Sequence, residues 1–245
     1  MIKLIKMKII LRFFFGKNYP LMVGYYWYYV SLLHDIFYKK KGVLLYAGIN
    51  VGDSFQKIFF KYEKVIGFEA NPKNFNLINK YNKYRNVNIY NYALSNENKI
   101  LDLHLPDNKN NDASASLSEF SKGNSYHTSH KIKVKSINLS DFLEKNKIKF
   151  IDMYLSDIEG YDLTVLKTIK DKFLDQRKIK FIQVEAVNNY VNNPFLNISN
   201  FEKEFDSLLN KNYEKIGRGT GFVRRGDNIE ECTTLDLLYE LKKNK

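Results

Sequence analysis

Two glycines and one acid stand at a spacing that suits the binding of a nucleoside. Gly48 and Gly52 enclose three residues in a Gly-x-x-x-Gly turn, and Glu69 follows Gly52 by seventeen positions. Glycines allow the backbone of a turn to approach a ligand closely, and an acid at the end of the following strand can accept hydrogen bonds from both ribose hydroxyls. The spacing therefore predicts a ligand that contains a ribose.

The same turn excludes two other kinds of nucleotide site. It lacks the third glycine of the dinucleotide signature Gly-x-Gly-x-x-Gly, and no Gly-Lys-Ser or Gly-Lys-Thr follows it to form a phosphate-cradling loop. A nucleoside cofactor without a pyrophosphate fits these residues better. We therefore expect the cofactor to be S-adenosylmethionine.

Three further acids, Asp157, Glu159 and Glu185, fall at or just after the ends of two predicted strands. Transfer of a methyl group from a sulfonium is an in-line displacement, which requires a positioned acceptor and a base for its proton. We interpret Asp157 as the first candidate base, with Glu159 and Glu185 as assisting groups or as oxygen ligands that share a divalent cation. Structural alternatives are a helix-dipole carboxylate for Glu159 and one half of a buried ion pair for Glu185.

Alternating strands and helices from Gly42 onward are predicted to position these residues. The predicted strands are 43–47, 65–69, 87–94, 150–155 and 180–185, and the predicted helices are 54–62, one starting at Pro72, 140–146, 161–171 and one starting at a Ser199-x-x-Glu202 capping box. Such alternation is typical of a parallel sheet wound on both faces, in which ligands bind at the carboxyl ends of strands where the strand order reverses. The glycine turn, Glu69 and Asp157 all fall at such ends.

Two regions depart from this alternation. Extra strands are predicted at 99–105 and 131–138, on either side of a polar stretch (107–130) whose length is typical of a functional lid or of disorder. Near the C-terminus, Gly219-Thr220-Gly221 predicts a hairpin, and a last helix is predicted over 235–241. The fold class predicted is α/β, with a mostly parallel seven-stranded sheet and a C-terminal antiparallel hairpin.

Four short motifs stand in order within residues 42–187. They are Gly48-Ile49-Asn50-Val51-Gly52, Phe68-Glu69-Ala70-Asn71-Pro72, Asn91-Tyr92-Ala93-Leu94-Ser95 and Asp157-Ile158-Glu159-Gly160. Taken together, these motifs resemble the FkbM-type methyltransferases. The resemblance implies a Rossmann-like class I methyltransferase that transfers a methyl group from S-adenosylmethionine, commonly to a hydroxyl of a sugar or natural product. It implies cofactor contacts at Gly48, Asn50 and Gly52 for the methionine end, at Glu69 for the ribose, at Ala93 and Leu94 near the adenine, and a further cofactor contact at Ala70.

The chain departs from the family pattern at two places. Tyr46 stands inside the first predicted strand where family members usually carry Asp, and Leu155-Ser156-Asp157 stands where they often carry Lys-Ile-Asp. The first change removes a counter-charge for the cofactor amino group. The second keeps the acid and removes a nearby cation.

The N-terminal segment and the net charge leave alternatives open. Residues 1–39 are predicted to be a helical, aromatic-rich extension, either packed on a methyltransferase domain at 40–245 or in peripheral contact with an anionic membrane. Because the uncharged run from Asn18 to Leu33 is short of the roughly 20 apolar residues that cross a bilayer, no transmembrane helix is expected. The net charge of +12 motivates an RNA methyltransferase as a second candidate, although scattered lysines argue against nucleic acid as a partner.

A third candidate is a membrane-associated binding protein with impaired catalysis, motivated by Tyr46 and residues 1–39. The leading expectation remains an S-adenosylmethionine-dependent O-methyltransferase whose partner is a small-molecule or glycan acceptor. Cys232 is the single cysteine, which excludes an internal disulfide and makes the cytoplasm the expected compartment.

Overall fold

The computed structural model describes residues 40–106, 115–120, 128–188, 193–225 and 228–243. In these residues, ten strands and four α-helices position the candidate site. The strands are β1 (Lys41–Ala47), β2 (Tyr62–Phe68), β3 (Val87–Tyr90), β4 (Ala93–Ser95), β5 (Ile100–Pro106), β6 (Thr128–Asn138), β7 (Ile151–Ser156), β8 (Ile179–Val187), β9 (Tyr213–Arg225) and β10 (Asn228–Leu241). The helices are α1 (Pro72–Ile78), α2 (Leu139–Lys145), α3 (Asp162–Thr168) and α4 (Glu202–Leu209).

Seven of these strands form one sheet in the order β3-β2-β1-β7-β8-β10-β9. The first five in this order are parallel, and β10 is antiparallel to both β8 and β9. The predicted fold class, a Rossmann-like class I methyltransferase sheet with a C-terminal antiparallel hairpin, is therefore confirmed. The strand order reverses between β1 and β7, where a doubly wound sheet opens a crevice at the carboxyl ends of its strands.

The central strands are apolar on both faces because both faces are covered. Leu44 and Leu45 are adjacent in β1 and both are fully buried, one in each of two hydrophobic clusters. Continuous apolar runs of this kind are typical of parallel strands that have helices or loops on either side. The larger cluster packs α2, α3 and α4 on one face.

The predicted extra strands form a second sheet with the order β4-β6-β5. Strands β5 and β6 are antiparallel, and β4 runs parallel to β6. The predicted third strand over 87–94 is in fact split into β3 and β4, which belong to the two different sheets. In the predicted polar stretch, the described segment 115–120 pairs with β5 through Ser116 and His104 and meets Phe195 through Phe120.

Two predictions near the C-terminus are wrong. The segment 235–241 is the end of β10 and not a helix, because Leu235, Leu237 and Tyr239 are buried with a period of two and pair with β8 and β9. Gly219-Thr220-Gly221 is not a hairpin turn but lies inside β9. The chain reverses between Arg225 and Asn228 instead.

Two helix predictions also differ from the structure. The segment 54–62 contains two short 3-10 helices, Phe55–Lys57 and Phe59–Lys61, before β2 begins at Tyr62. The predicted Ser199–Glu202 capping box is wrong: the Glu204 carboxylate accepts hydrogen bonds from the Phe201 N–H and the Ser199 hydroxyl. Glu202 pairs with Lys215 and Arg218.

The N-terminal extension predicted at 1–39 lies outside the described residues. Within the described part of the chain, no helix is long and apolar enough to cross a bilayer.

Candidate active site

A cleft with about 630 Å³ of empty volume opens at the carboxyl ends of β1, β2 and β7. Most of the residues that were predicted to contact a cofactor line this cleft, and so do two of the three predicted acids. Its lining includes Gly48, Asn50, Glu69, Ala70, Ala93, Leu94, Asp157 and Glu159.

The backbone at Gly48 crosses directly over the end of β7. Gly48 has a φ of +77°, and a Cβ atom built on it would lie 1.8 Å from the backbone oxygen of Asp157. The Asp157 N–H donates to the Ala47 carbonyl at 3.2 Å, and the Gly48 N–H donates to the Phe68 carbonyl at 3.0 Å. No side chain fits at this crossing, so glycine is required for the β1 and β7 ends to approach each other.

Glu69 ties the turn after β1 to the end of β2. Its Oε2 accepts from the Asn50 N–H at 2.6 Å, and its Oε1 accepts from the Asn71 N–H at 2.8 Å. Burial raises the pKa of this carboxyl, while the two amide bonds lower it. A carboxylate can accept about four hydrogen bonds, so about two acceptor positions remain on Glu69 beside those that the two backbone amides occupy.

Asn50 is held in a left-handed conformation that asparagine tolerates better than most residues. Its φ is +55°, and its Oδ1 accepts from the Asn74 side chain at 2.9 Å. Gly52, in contrast, does not contribute to the cleft lining. Its φ is +90°, and a Cβ atom there would lie 3.1 Å from Ile78, so this glycine permits the turn to pack on α1.

Part of the cleft lining is apolar. It includes Ala93 and Leu94, which belong to β4 and are both 3% exposed, and Ile158, which follows β7. This apolar part matches the flat, apolar half of a nucleoside in character. Other side chains that line the cleft are Phe68, Tyr92, Leu103, Ala115, Leu117 and Tyr161.

Asp157, Glu159 and Glu185 form one acidic cluster beside the cleft. A carboxylate oxygen from each can be chosen so that all three lie within 4.8 Å of one another. Asp157 remains exposed to the open space of the cleft, whereas Glu159 and Glu185 are partly covered. Glu185 is not among the residues that line the cleft.

The pKa values of these acids are raised because protein atoms displace water around them and because the nearest charges are also negative. Desolvation raises the pKa of Asp157 to about 6, with a further rise from Asp236. Burial raises the pKa of Glu159 well above its usual value, and Asp157 adds to this. Burial likewise raises the pKa of Glu185, the negative charge of Glu159 adds to this, and a hydrogen bond with Thr234 lowers it.

The backbone around Glu159 is strained and held from two sides. Glu159 has a φ of +52°, which costs energy for a residue with a long side chain. Its carbonyl accepts from the Ser116 hydroxyl at 2.5 Å, and Gly160 leaves room for the Phe195 ring, which a Cβ would meet at 2.6 Å. Such strain at a site is maintained by surrounding contacts.

Several residues of the site were not predicted from the sequence. Asn74 orients Asn50, and Asp162 accepts from the Ser156 hydroxyl at 2.6 Å directly behind the acidic cluster. Tyr161 lines the cleft. Asp162 had a signal, since it is an acid in the first turn of α3 after a glycine; Tyr161 had none.

Tyr46, the departure inside β1, does not enter the cleft. It is 5% exposed and packs against Phe55, with ring centroids 5.9 Å apart. Burial and the negative Asp157 raise the pKa of its phenol to about 12, while a hydrogen bond with Ser54 lowers it. The cofactor cleft is therefore open in the presence of this tyrosine.

Comparisons with solved structures find similarity to methyltransferases at low sequence identity and at TM-scores below 0.5. The N-methyltransferase NodS from Bradyrhizobium japonicum WM9 is 8% identical with a TM-score of 0.47, covering 93% of this chain and 99% of its own. Precorrin-6y C5,15-methyltransferase from Geobacter metallireducens GS-15 is 12% identical with a TM-score of 0.44, covering 87% and 85%. TrmK from M. capricolum, solved with S-adenosyl-homocysteine, is 11% identical with a TM-score of 0.42, covering 89% and 68%. Identities this low carry no information about the substrate.

A comparison with curated proteins found no match. The family comparison is decisive: the Methyltransferase FkbM domain matches residues 47–215, which is more than half of the chain and includes the glycine turn, Glu69 and the acidic cluster. The chain belongs to the FkbM methyltransferase family, and it is an S-adenosylmethionine-dependent methyltransferase.

Proposed function

We propose that this protein is an O-methyltransferase that methylates a hydroxyl of a sugar, a glycan or a glycosylated small molecule. The observation that carries the proposal is the position of Asp157. This carboxylate is exposed in the cleft next to Gly48, whereas the remaining cofactor residues line its other walls. A neutral hydroxyl is a poor nucleophile, and a carboxylate within reach of its proton improves it.

The cofactor is assigned to the cleft by the residues around it. Glu69 has two acceptor positions left for the two ribose hydroxyls. Ala93, Leu94 and Ile158 give an apolar wall for the adenine, and Gly48 and Asn50 lie where the methionine end would approach the β1 turn. With the cofactor in this position, its sulfonium faces the acidic cluster.

The reaction needs one base and one displacement. The hydroxyl oxygen forms a bond to the methyl carbon while the carbon–sulfur bond breaks and its electron pair stays on sulfur, which gives neutral S-adenosylhomocysteine. The hydroxyl proton passes to the Asp157 carboxylate. Because desolvation and the negative charge of Asp236 raise the pKa of Asp157 to about 6, this group is a stronger base than an ordinary Asp while still mostly ionised at neutral pH.

Turnover of methyl-labelled S-adenosylmethionine with a panel of oligosaccharides tests the proposal. We expect label to appear on a carbohydrate oxygen, and Asp157→Asn to lower kcat by about 10²- to 10⁴-fold, the usual contribution of a general base. Asp102→Asn, which removes a half-exposed acid of β5 paired with Lys133, is the matched control and should leave kcat unchanged. Label on no carbohydrate, or equal rates for the two variants, would refute the proposal.

An RNA methyltransferase remains the second candidate because the net charge is +12. The acidic cluster argues against it, since carboxylates beside the methyl group would repel the phosphates of a nearby nucleotide. Transfer of label to RNA, with binding that weakens steeply as salt rises, would favour this candidate over a glycan acceptor. The domain limits and the cytoplasmic location stay predictions from the sequence.

A further inference from the structure

The acidic cluster has the geometry of a cation site. Its three carboxylate oxygens, one from each of Asp157, Glu159 and Glu185, all lie within 4.8 Å of one another. Metal–oxygen distances of about 2.0–2.6 Å place the ligand oxygens of one hard cation roughly 3 to 5 Å apart. Separations of up to 4.8 Å fall within this range, so the spacing of the three oxygens is compatible with one shared cation.

A buried oxygen in the same cluster lacks a partner. The Oε2 atom of Glu185 is shielded from solvent and makes no hydrogen bond to any described residue. Buried polar atoms are normally satisfied, and an unpaired buried carboxylate oxygen is costly. A cation between the three acids would supply the missing interaction.

The described part of the protein offers the cluster no positive charge of its own. No ion pair joins Asp157, Glu159 or Glu185 to a lysine, arginine or histidine among the described residues. The further charges that act on the cluster are those of Asp162 and Asp236, which are also acids. Among the described residues no side chain compensates the cluster, and a bound cation would supply that charge.

We propose that Asp157, Glu159 and Glu185 bind one divalent cation, which in turn chelates two neighbouring oxygen atoms of the acceptor. Three carboxylates without histidine or cysteine favour Mg²⁺, Mn²⁺ or Ca²⁺ over zinc. Three protein oxygens leave coordination positions free for an acceptor. The acceptor class that fits is a vicinal diol, or a hydroxyl next to a carbonyl, and this part of the proposal rests on the proposed function.

The cation and the base have compatible roles. Asp157 contributes one oxygen to the cluster, so its other oxygen remains for the proton of the acceptor hydroxyl. A bound cation lowers the pKa of a coordinated hydroxyl. The cation thus orients and acidifies the acceptor, and Asp157 receives the proton.

Titration of the full-length protein with Mn²⁺, followed by electron paramagnetic resonance of the free ion, tests the site. We expect one saturable site per chain and a fall in Mn²⁺ affinity of at least about tenfold in Glu185→Gln, since loss of even a supporting group costs that much. Asp236→Asn removes a nearby charge but no proposed ligand, and should retain most of the affinity. If Glu185→Gln does not fold, Glu159→Gln serves in its place.

S-adenosylhomocysteine affinity, measured by calorimetry in EDTA, separates this proposal from the proposed function. Unchanged cofactor affinity without metal, together with Mn²⁺ binding that Glu185→Gln weakens, supports the cation site. Absence of Mn²⁺ binding, or equal Mn²⁺ affinity in Glu185→Gln and Asp236→Asn, overturns it. Full transfer of the methyl group to an amine in EDTA also overturns it, because the acids would then bind the ammonium form of the acceptor directly and accept its proton before the neutral nitrogen attacks the methyl carbon.

Discussion

Glu69→Gln is the substitution that most sharply tests how the cleft recognises a ribose. The carboxylate accepts from the Asn50 N–H at 2.6 Å and from the Asn71 N–H at 2.8 Å. Glutamine has one acceptor oxygen and one NH₂ group, so one of these two amides would face a donor. Of the two positions left for the ribose hydroxyls, only one would remain.

The expected loss follows from these counts. A hydrogen bond to a charged group contributes about 1.5–3 kcal/mol, so the loss of one ribose contact corresponds to a rise of about 10- to 140-fold in the Kd for S-adenosylhomocysteine. The unpaired backbone amide should also lower the free energy of unfolding by about 1–3 kcal/mol. Calorimetry gives the first quantity and urea unfolding the second.

The matched control is Glu63→Gln, which makes the same change at an exposed position of the same strand β2. It should retain wild-type affinity and stability. If folded Glu69→Gln binds S-adenosylhomocysteine as tightly as Glu63→Gln does, the ribose assignment is wrong.

Three further predictions follow from the same geometry. Gly48→Ala should abolish binding of S-adenosylhomocysteine in calorimetry, because its Cβ would lie 1.8 Å from the Asp157 carbonyl oxygen. The control Gly219→Ala, whose Cβ would have its nearest contact at 3.6 Å, should still bind. Binding by both variants would contradict this prediction. In metal-free enzyme, where the acceptor lacks its cation and only a residual rate is expected, that rate should rise with pH through about pH 6 as Asp157 ionises, and a flat profile would remove its role as base. Burial raises the pKa of Asp162 to about 7, so the folded state holds a proton that the unfolded state releases, and the free energy of unfolding should fall as pH rises from about 4 to 7. Asp162→Asn should flatten this pH dependence in urea unfolding. An unchanged pH dependence would mean that another group causes it.

The cofactor half of the site could be predicted from the sequence because it depends on local backbone geometry. Gly48, Asn50 and Glu69 fall within one strand–turn–strand unit, where the order of residues fixes which strand ends meet. Asp157 could be placed by the same rule at the end of a neighbouring strand. Glu185 was harder, since it lies inside β8 and not at its end, and its approach to Glu159 depends on how the segment after β7 packs against that strand.

The parts that could not be predicted depend on long-range contacts. Ser116 reaches the Glu159 carbonyl across forty-three positions, and no local pattern marks such a bond. Leu235, Leu238 and Leu241 have helical spacing, yet pairing with β8 and β9 imposes the strand alternation of Leu235, Leu237 and Tyr239 instead. Tertiary pairing decided this segment over its local pattern.

A crystal structure of the protein with S-adenosylhomocysteine tests the central claim most directly. The ligand should lie in the cleft with both ribose hydroxyls on the Glu69 carboxylate, the adenine against Leu94 and the sulfur toward Asp157. Binding outside this cleft, or inside it with the ribose away from Glu69 and the sulfur away from Asp157, would contradict the assignment of both the cofactor site and the reaction centre.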